Sequence, residues 1–424
     1  MNASLAHRTS VLQRSNSDTG SKESGLPQTY NLSGNSSQNR LLSPVLSAWA
    51  QAGLIFTGLL LLTTLYQVDL TKSQTSLTQR AKSRQLLASP APQIGPTLVS
   101  YSYFEKDDIQ RFNMEFFMAV GMGQSPRFKP PQATDFVVII SGEKCSPCKQ
   151  LLPSLVETHA GTKNFPEISQ AWSVPGLTML QRTQNEGMDF AAHNITLQWL
   201  QRTSSYSTYR YFIFLNSSVR GPFYPSYMPQ GWQWTRAYTD RLIGNVKLVS
   251  SSIVCLPTVD AGGFGPKAES WAFATDPEAL ELFTRAGVFH LRTCKLCNDG
   301  VVVRGEYGLT NVLFSHGLSI ATLMSMYHPD TNWLDDKNWH CNNNAHPSRH
   351  GSYDGIAMHP FEVVFLKASW HVGEPHTAHY SKWFLAQAQG SDNTAGSFDE
   401  PMYRYAISME AQEPNNAESC FKVV

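Results

Sequence analysis

Charge is scarce in this chain of 424 residues: only 16% are Asp, Glu, Lys or Arg, and 33 basic side chains are matched by 33 acidic ones. A protein that holds nucleic acid by neutralising phosphates needs a basic excess, so nucleic acid is excluded as a partner. Cysteine is sparse as well. The seven, Cys145, Cys148, Cys255, Cys294, Cys297, Cys341 and Cys420, are too few for a disulfide scaffold. Their odd number leaves at least one outside intramolecular pairing. No internal repeat runs through the chain, which excludes a repeat array. What is plentiful is apolar mass. Ten Trp, 22 Phe and a 42% hydrophobic content supply one large core or two ordinary ones.

The first 40 residues hold 17 Ser, Thr or Asn and little that packs, so residues 1–44 read as a disordered cytosolic tail. No charged residue occurs between Arg40 and Asp69, and residues 45–66 (VLSAWAQAGLIFTGLLLLTTLY) form an apolar run of 22. A helix rising about 1.5 Å per residue crosses a bilayer at that length. Trp49 and Tyr66 suit the headgroup region. The competing reading is a buried core helix. A cleaved signal peptide fits less well, because a long tail precedes the run. Charge does not orient the span: the tail carries Arg8, Arg14, Lys22 and Arg40 against Asp18 and Glu23 (4 − 2 = +2), and the 67–94 stem carries Lys72, Arg80, Lys82 and Arg84 against Asp69 (4 − 1 = +3). Glycosylation sequons stand on both sides, at Asn2, Asn31 and Asn35 and at Asn194 and Asn216. A short tail before a large carboxy-terminal domain suits a type II signal anchor, with the lipid bilayer as a partner through 45–66 and the domain in a lumen.

Beyond the stem, apolar or aromatic runs alternate with amphipathic stretches, the pattern of a sheet covered by crossover helices. Strands are expected at 97–104, 135–141, 177–181, 211–215, 246–253 and 271–274. Helices are expected from Lys106, where Ile109, Phe112, Phe116 and Val120 recur at helical spacing, after Pro147, and over 190–201, 234–242, 277–286 and 309–316. From Tyr327 the sequence is irregular and rich in His, Asn, Trp and Pro. The division is thus a domain over 95–325, with 326–424 as its extension.

The segment YFIFLNSSVRGPF (211–223) is an apolar strand that ends in polar residues and Arg220. In open α/β sheets ligands bind at that end, although Asn, Ser, Gly and Pro also suit an ordinary turn. Four blocks, LQRTQNEGMDFAAH (180–193), YFIFLNSSVRGPF, ESWAFATD (269–276) and RGEYGLTNVLFSHG (304–317), resemble in order and spacing those of the rhamnan-synthesis-type glycosyltransferase-like proteins. HPFEVVFLK (359–367) resembles the ending of their eukaryotic membrane-anchored relatives. The resemblance spans roughly 95–370. It implies a GT-A-like nucleotide-diphospho-sugar-binding α/β domain with a mixed, mostly parallel sheet, behind the single transmembrane helix. It also implies transfer from a nucleotide-sugar donor to a glycan or glycoprotein acceptor. Anchor and activity together point to the Golgi membrane, with the ER membrane as the alternative.

Such transfer needs the diphosphate leaving group neutralised, by a metal held on acidic residues or by Arg and Lys. Inversion also needs a base beside the acceptor hydroxyl. Where many such enzymes carry Asp-x-Asp, this chain has Asn216, Ser217 and Ser218, which puts a divalent metal (Mn or Mg) in question and brings Arg220 forward for the diphosphate. The resemblance places Arg182, Asn185 and Asp189 near the donor, with His193 facing the same cleft; a turn around Gly187 with Asp189 as a helix cap explains the block equally well. Asn216 and Ser218 complete the donor-binding set. Glu306 is the leading candidate for the base and Glu269 its competitor, and each also suits the first turn of a helix.

Cys145 and Cys148, between a strand and a helix, have the order of a thioredoxin-type redox pair; a plain disulfide is the alternative. Cys294 and Cys297 with His340, Cys341 and His346 have the donors, though not the spacing, of a zinc site. Nine of 13 His lie at or after His316, and His371, His376 and His379 are further candidate ligands, spread among aromatics without a fixed spacing. Two other functions stay open: a catalytically inactive carbohydrate-binding or scaffold protein of the same fold, and a lumenal thiol oxidoreductase using Cys145 and Cys148.

Overall fold

Strand β1 (Thr97–Tyr103) is buried along its whole length, because it lies at the centre of a sheet with neighbours on both edges and layers on both faces. The computed structural model describes residues 95–389 apart from 125–127, 152–154, 158–164, 204, 226–227, 229–230, 259–261, 348–357 and 369–373. Every described residue belongs to one unit, 90–424.

After β1 come α1 (Asp108–Phe116), β2 (Thr134–Ser141), α2 (Cys148–Leu151), β3 (Val156–Glu157), β4 (Ile168–Val174), β5 (Leu177–Arg182), α3 (Met188–Arg202) and β6 (Tyr211–Asn216). Then follow β7 (Val219–Arg220), α4 (Arg236–Thr239), β8 (Val246–Ser250), β9 (Ile253–Leu256), β10 (Gly265–Ala268), β11 (Ala272–Thr275) and α5 (Pro277–Arg285). The remainder is α6 (Tyr307–Ser315), β12 (Ser319–Thr322), α7 (Pro360–Val363), β13 (Leu366–Lys367) and α8 (Glu374–Gln389). Nine strands form one sheet in the order β12-β8-β11-β6-β1-β2-β5-β4-β3. Its centre, β5-β2-β1-β6, is parallel; β11 runs antiparallel to both its neighbours, and β12 is parallel to β8. This mixed sheet fits the GT-A-like expectation.

Local chemistry accounts for the helix starts. Asp107 and Gln110 close a capping box on α1, each accepting from a backbone N–H at 2.9 Å. Asp276 caps α5 by accepting from the Ala279 N–H at 3.0 Å, with Pro277 in the first turn, where its missing N–H costs nothing.

Two expectations need correction. Among the described residues no helix is long and apolar enough to cross a membrane, so the fold is described without a transmembrane helix; segment 45–66, with the tail and stem, lies outside them. The expected strand over 246–253 breaks into β8 and β9, because Ser251 and Ser252 leave the sheet ladder. Ser250 Oγ donates to the Ser252 carbonyl at 2.7 Å and Ser251 Oγ to that of Val363 at 2.9 Å. The helix expected after Pro147 is described over Cys148–Leu151, and residues 152–154 lie outside the described ones.

Candidate functional site

The parallel strands deliver their carboxyl ends to one edge of the sheet, where apolar runs give way to polar side chains. At the end of β6, the Ser217 N–H donates to the Ser102 carbonyl at 2.9 Å, tying the loop to β1. On the other side the Ala368 N–H donates to the Ser218 carbonyl at 2.8 Å, beside the β7–β13 pair. Between these supports Asn216 Nδ2 donates to Asp189 Oδ2 at 2.8 Å, and Asn216 Oδ1 accepts from the Ser218 N–H at 3.1 Å and from the Ser218 hydroxyl. Asn216, Ser218 and Asp189 are thus brought together, as a closed hydrogen-bonded network.

Asp189 arrives in the first turn of α3. The turn before it is organised by Arg182, whose Nε donates to Ser141 Oγ at 2.8 Å while its terminal nitrogens donate to Asn185 Oδ1 and to the carbonyls of Glu186 and Met188. Burial lowers the Arg182 pKa to about 10, against the nearby charges of Asp189, Glu167 and Glu186. Arg182 and Asn185 therefore shape the loop. Gly187 takes φ of 68°, and a Cβ there would stand 2.5 Å from Leu291 Cδ1 and 2.6 Å from the Ala191 Cβ, so the close approach of the 291 segment depends on glycine.

Glu306 reaches the cluster from the other side. It closes a π-helical turn (Val301–Glu306) that runs into α6, a geometry frequent at functional sites. Gly305 lets that turn lie on α3: a Cβ there would be 3.2 Å from the Phe190 ring. Glu306 makes no capping hydrogen bond with its side chain, so the helix start does not consume the carboxyl. Burial, then the negative charges of Asp189 and Glu269, push its pKa up to about 7, against the partial relief of Lys367 and Lys295. A carboxyl poised there suits proton abstraction at neutral pH.

Glu269 is differently placed. It is buried, accepts from the Ser252 hydroxyl at Oε2, and lies 3.1 Å from His346 Nδ1 at Oε1. Burial pushes its carboxyl up, but His346, the Lys367 charge and Ser252 together hold it below the usual carboxylate range. It is an ionised carboxylate already committed to partners, which leaves Glu306 as the better base. His346 is brought there by the Cys255–Cys341 disulfide and by the Asn344 Nδ2 bond to the Cys255 carbonyl at 3.1 Å.

Two expected site residues lie away from this surface. Arg220 is wholly buried; its Nε donates to Asn113 Oδ1 at 2.9 Å and its guanidinium lies 4.4 Å from the Phe112 ring centroid. Because Asn113 Nδ2 donates to the Ser217 carbonyl at 2.8 Å, Arg220 braces the loop from behind. His193 is a core residue on the buried face of α3, with Nδ1 2.8 Å from Ser100 Oγ, and burial, then Arg182, lower its pKa to about 3. The sequence reading missed Glu105, just past β1, although the same strand-end rule that singled out Asn216 applies to it. Glu105 accepts from the Tyr103 hydroxyl at 2.9 Å and from the Ser146 N–H and Oγ at 2.6 and 2.8 Å, and pairs with Lys144 at 2.9 Å. Burial opposes its charge, yet these partners lower its pKa to about 2.

The cysteines resolve into pairs: Cys145–Cys148, Cys255–Cys341 and Cys294–Cys297. Zinc coordination by Cys294, Cys297 and Cys341 is thereby overturned, since a disulfide sulfur is no thiolate ligand. Cys148 is buried at the start of the helix that follows. Cys420 and His371 lie outside the described residues, as do the side chain of His376 and the sequons before residue 95. Of the two described sequons, Asn194 is partly exposed while its third residue, Thr196, is buried against Ser100 at 2.8 Å, and the Asn216 amide is engaged by Asp189.

A divalent cation finds a poor fit at residues 216–218. Hard cations favour carboxylate oxygens, whereas this loop offers an amide oxygen and hydroxyls already hydrogen-bonded, with the Asn216 NH2 turned to the nearest carboxylate. No group of three or more His, Cys, Asp or Glu arranged to hold a metal occurs among the described residues.

No family model matches the chain, so the rhamnan-synthesis-type family is not confirmed, and no curated protein matches it. Among solved structures, the mannosyltransferase PcManGT from Pyrobaculum calidifontis, in complex with GDP-Man and Mn2+, is similar at 12% identity and a TM-score of 0.32, over 80% of this chain and 89% of that one.

Proposed function

We propose that this chain is a glycosyltransferase that moves a sugar from a nucleotide-sugar donor to a glycan or glycoprotein acceptor. The observation that carries the reading is Glu306 at the end of a π-helical turn that packs on α3 through Gly305 and Phe190, its carboxyl uncommitted to a cap and raised by burial and by the charges of Asp189 and Glu269. Glu306 takes the proton of the acceptor hydroxyl as its oxygen bonds to the anomeric carbon. The bond from that carbon to the diphosphate oxygen breaks, and the diphosphate leaves with the electron pair. Lys367 and Lys295, whose charges act on Glu306, take the role in charge neutralisation that a buried Arg220 is not placed to fill. No step runs through a metal. Three disulfides support an oxidising compartment, and a Golgi or ER lumen is proposed on that basis.

A catalytically silent carbohydrate-binding protein is the second reading, favoured by the internal hydrogen bonding of Asn216 and Ser218. Thermal unfolding of the full-length chain with nucleotide sugars and nucleoside diphosphates, with and without manganese, separates the two. A bound donor at a hundredfold excess over its Kd adds about 2.7 kcal/mol of stability. One nucleotide class should raise Tm equally well for wild type and Glu306→Gln. No shift with any donor would sink the transfer reading in favour of the silent one.

A further inference from the structure

On the outer face of α3 lies a shallow open cleft of about 170 Å³. Four of its lining residues, Ala191, Asn194, Ile195 and Gln198, recur at helical spacing and so form one stripe along α3. The opposite face of the helix, with His193 and Thr196, is buried against β1 through Ser100. The stripe alternates in character: Ala191 and Ile195 are almost wholly buried, whereas Asn194 and Gln198 are half-exposed. Neither amide makes a side-chain hydrogen bond among the described residues. Leu291, 55% exposed, forms an apolar wall, and the exposed Gln184 and Glu186 stand on the rim.

We propose that this cleft binds a neutral, polyhydroxylated glycan segment, separate from the donor site. Amides and carboxylates pair with vicinal hydroxyls, and the Ala191, Ile195 and Leu291 surfaces accept the apolar face of a sugar ring; a few placed polar groups on an apolar lining are what a ligand site requires. Charge argues against a phosphorylated ligand. The only cation in the lining, Arg182, is buried and committed to Ser141, Asn185, Glu186 and Met188, while Glu167 and Glu186 contribute two negative charges. A nucleotide diphosphate is repelled here; an uncharged sugar chain is not.

The test presents the full-length protein to an array of neutral and acidic glycans, then titrates the best neutral glycan calorimetrically into wild type, Gln198→Ala and the Asn194→Ala/Gln198→Ala pair. Binding should be confined to neutral glycans and should weaken at least tenfold in the double variant while Tm holds. If the double variant does not fold, Gln184→Ala on the exposed rim takes its place, with a weakening of severalfold expected. Binding of acidic glycans alone, of none, or unchanged binding in the variants would overturn the proposal, as would a glycan found covalently attached to Asn194. Donor stabilisation measured on the same samples keeps the two readings apart: glycan binding without a donor shift removes the transfer reading and keeps the cleft, and a donor shift without glycan binding does the reverse.

Discussion

Glu105, Glu269 and Glu306 are the same side chain in three surroundings, and their charge states differ accordingly. Glu105 is lowered to about 2, so its contribution to stability is present above the carboxylate's unfolded pKa and is lost as pH falls from there toward 2. Glu306 is raised to about 7; the unfolded chain releases that proton first, so folding loses stability as pH climbs from the ordinary carboxylate value through 7. Urea unfolding at pH 8 should therefore show opposite signs: Glu306→Gln stabilises by about 1–3 kcal/mol and Glu105→Gln destabilises by about the same. Equal signs would mean that one environment is misread. Asn216→Asp places two carboxylates in contact where a 2.8 Å amide bond now stands, and should cost about 1–3 kcal/mol at neutral pH, a loss that shrinks on acidification. The positions of Asn216 and Asp189, at a strand end and a helix start, were legible in the sequence because such places expose polar residues in a readable pattern. Arg220 and His193 were not, because a formal charge or an imidazole says nothing about depth, and both lie in the core.

At the scale of elements, β1, β2, β5, β6, β11, α1, α3, α5 and α6 fall where apolar periodicity puts them, whereas the strands β3, β4, β7, β12 and β13 and the helices α7 and α8 were not expected. The antiparallel sense of β11 was not legible, since alternation fixes a strand but not its direction, which depends on pairing with β6 and β8. The short β9–β10 hairpin was missed because four-residue strands carry little periodic signal. Its placement nonetheless matters: Cys255 in β9 bonds to Cys341, 86 residues on, and this link holds the segment that presents His346 to Glu269. Replacing both cysteines by Ser should lower stability by about 2–5 kcal/mol. It should also release Glu269 from its nitrogen partner, visible as a shift of the His346 ring resonances in NMR; unchanged resonances would show that the segment is held by other contacts.

For the molecule as a whole, the sheet brings β1, β5 and β6 to one edge, while α3 and the π-helical turn lean together through Gly305 and Phe190, so that the charge of Asp189 acts on Glu306. That convergence joins residues more than a hundred positions apart, which no local motif records. It also separates two surfaces, the carboxylate cluster at the sheet edge and the amide-lined cleft along α3, with Arg182 and its turn between them. The central claim is that Glu306 accepts a proton during sugar transfer. It is tested most directly by the pH dependence of kcat/KM for transfer from the stabilising nucleotide sugar, wild type against Glu306→Gln. The expected result is a wild-type rate that falls tenfold per unit below about pH 7, and a variant slower by roughly 10²–10⁴ at pH 8 that has lost this dependence. A variant that transfers sugar at the wild-type rate with the same acid limb would contradict it.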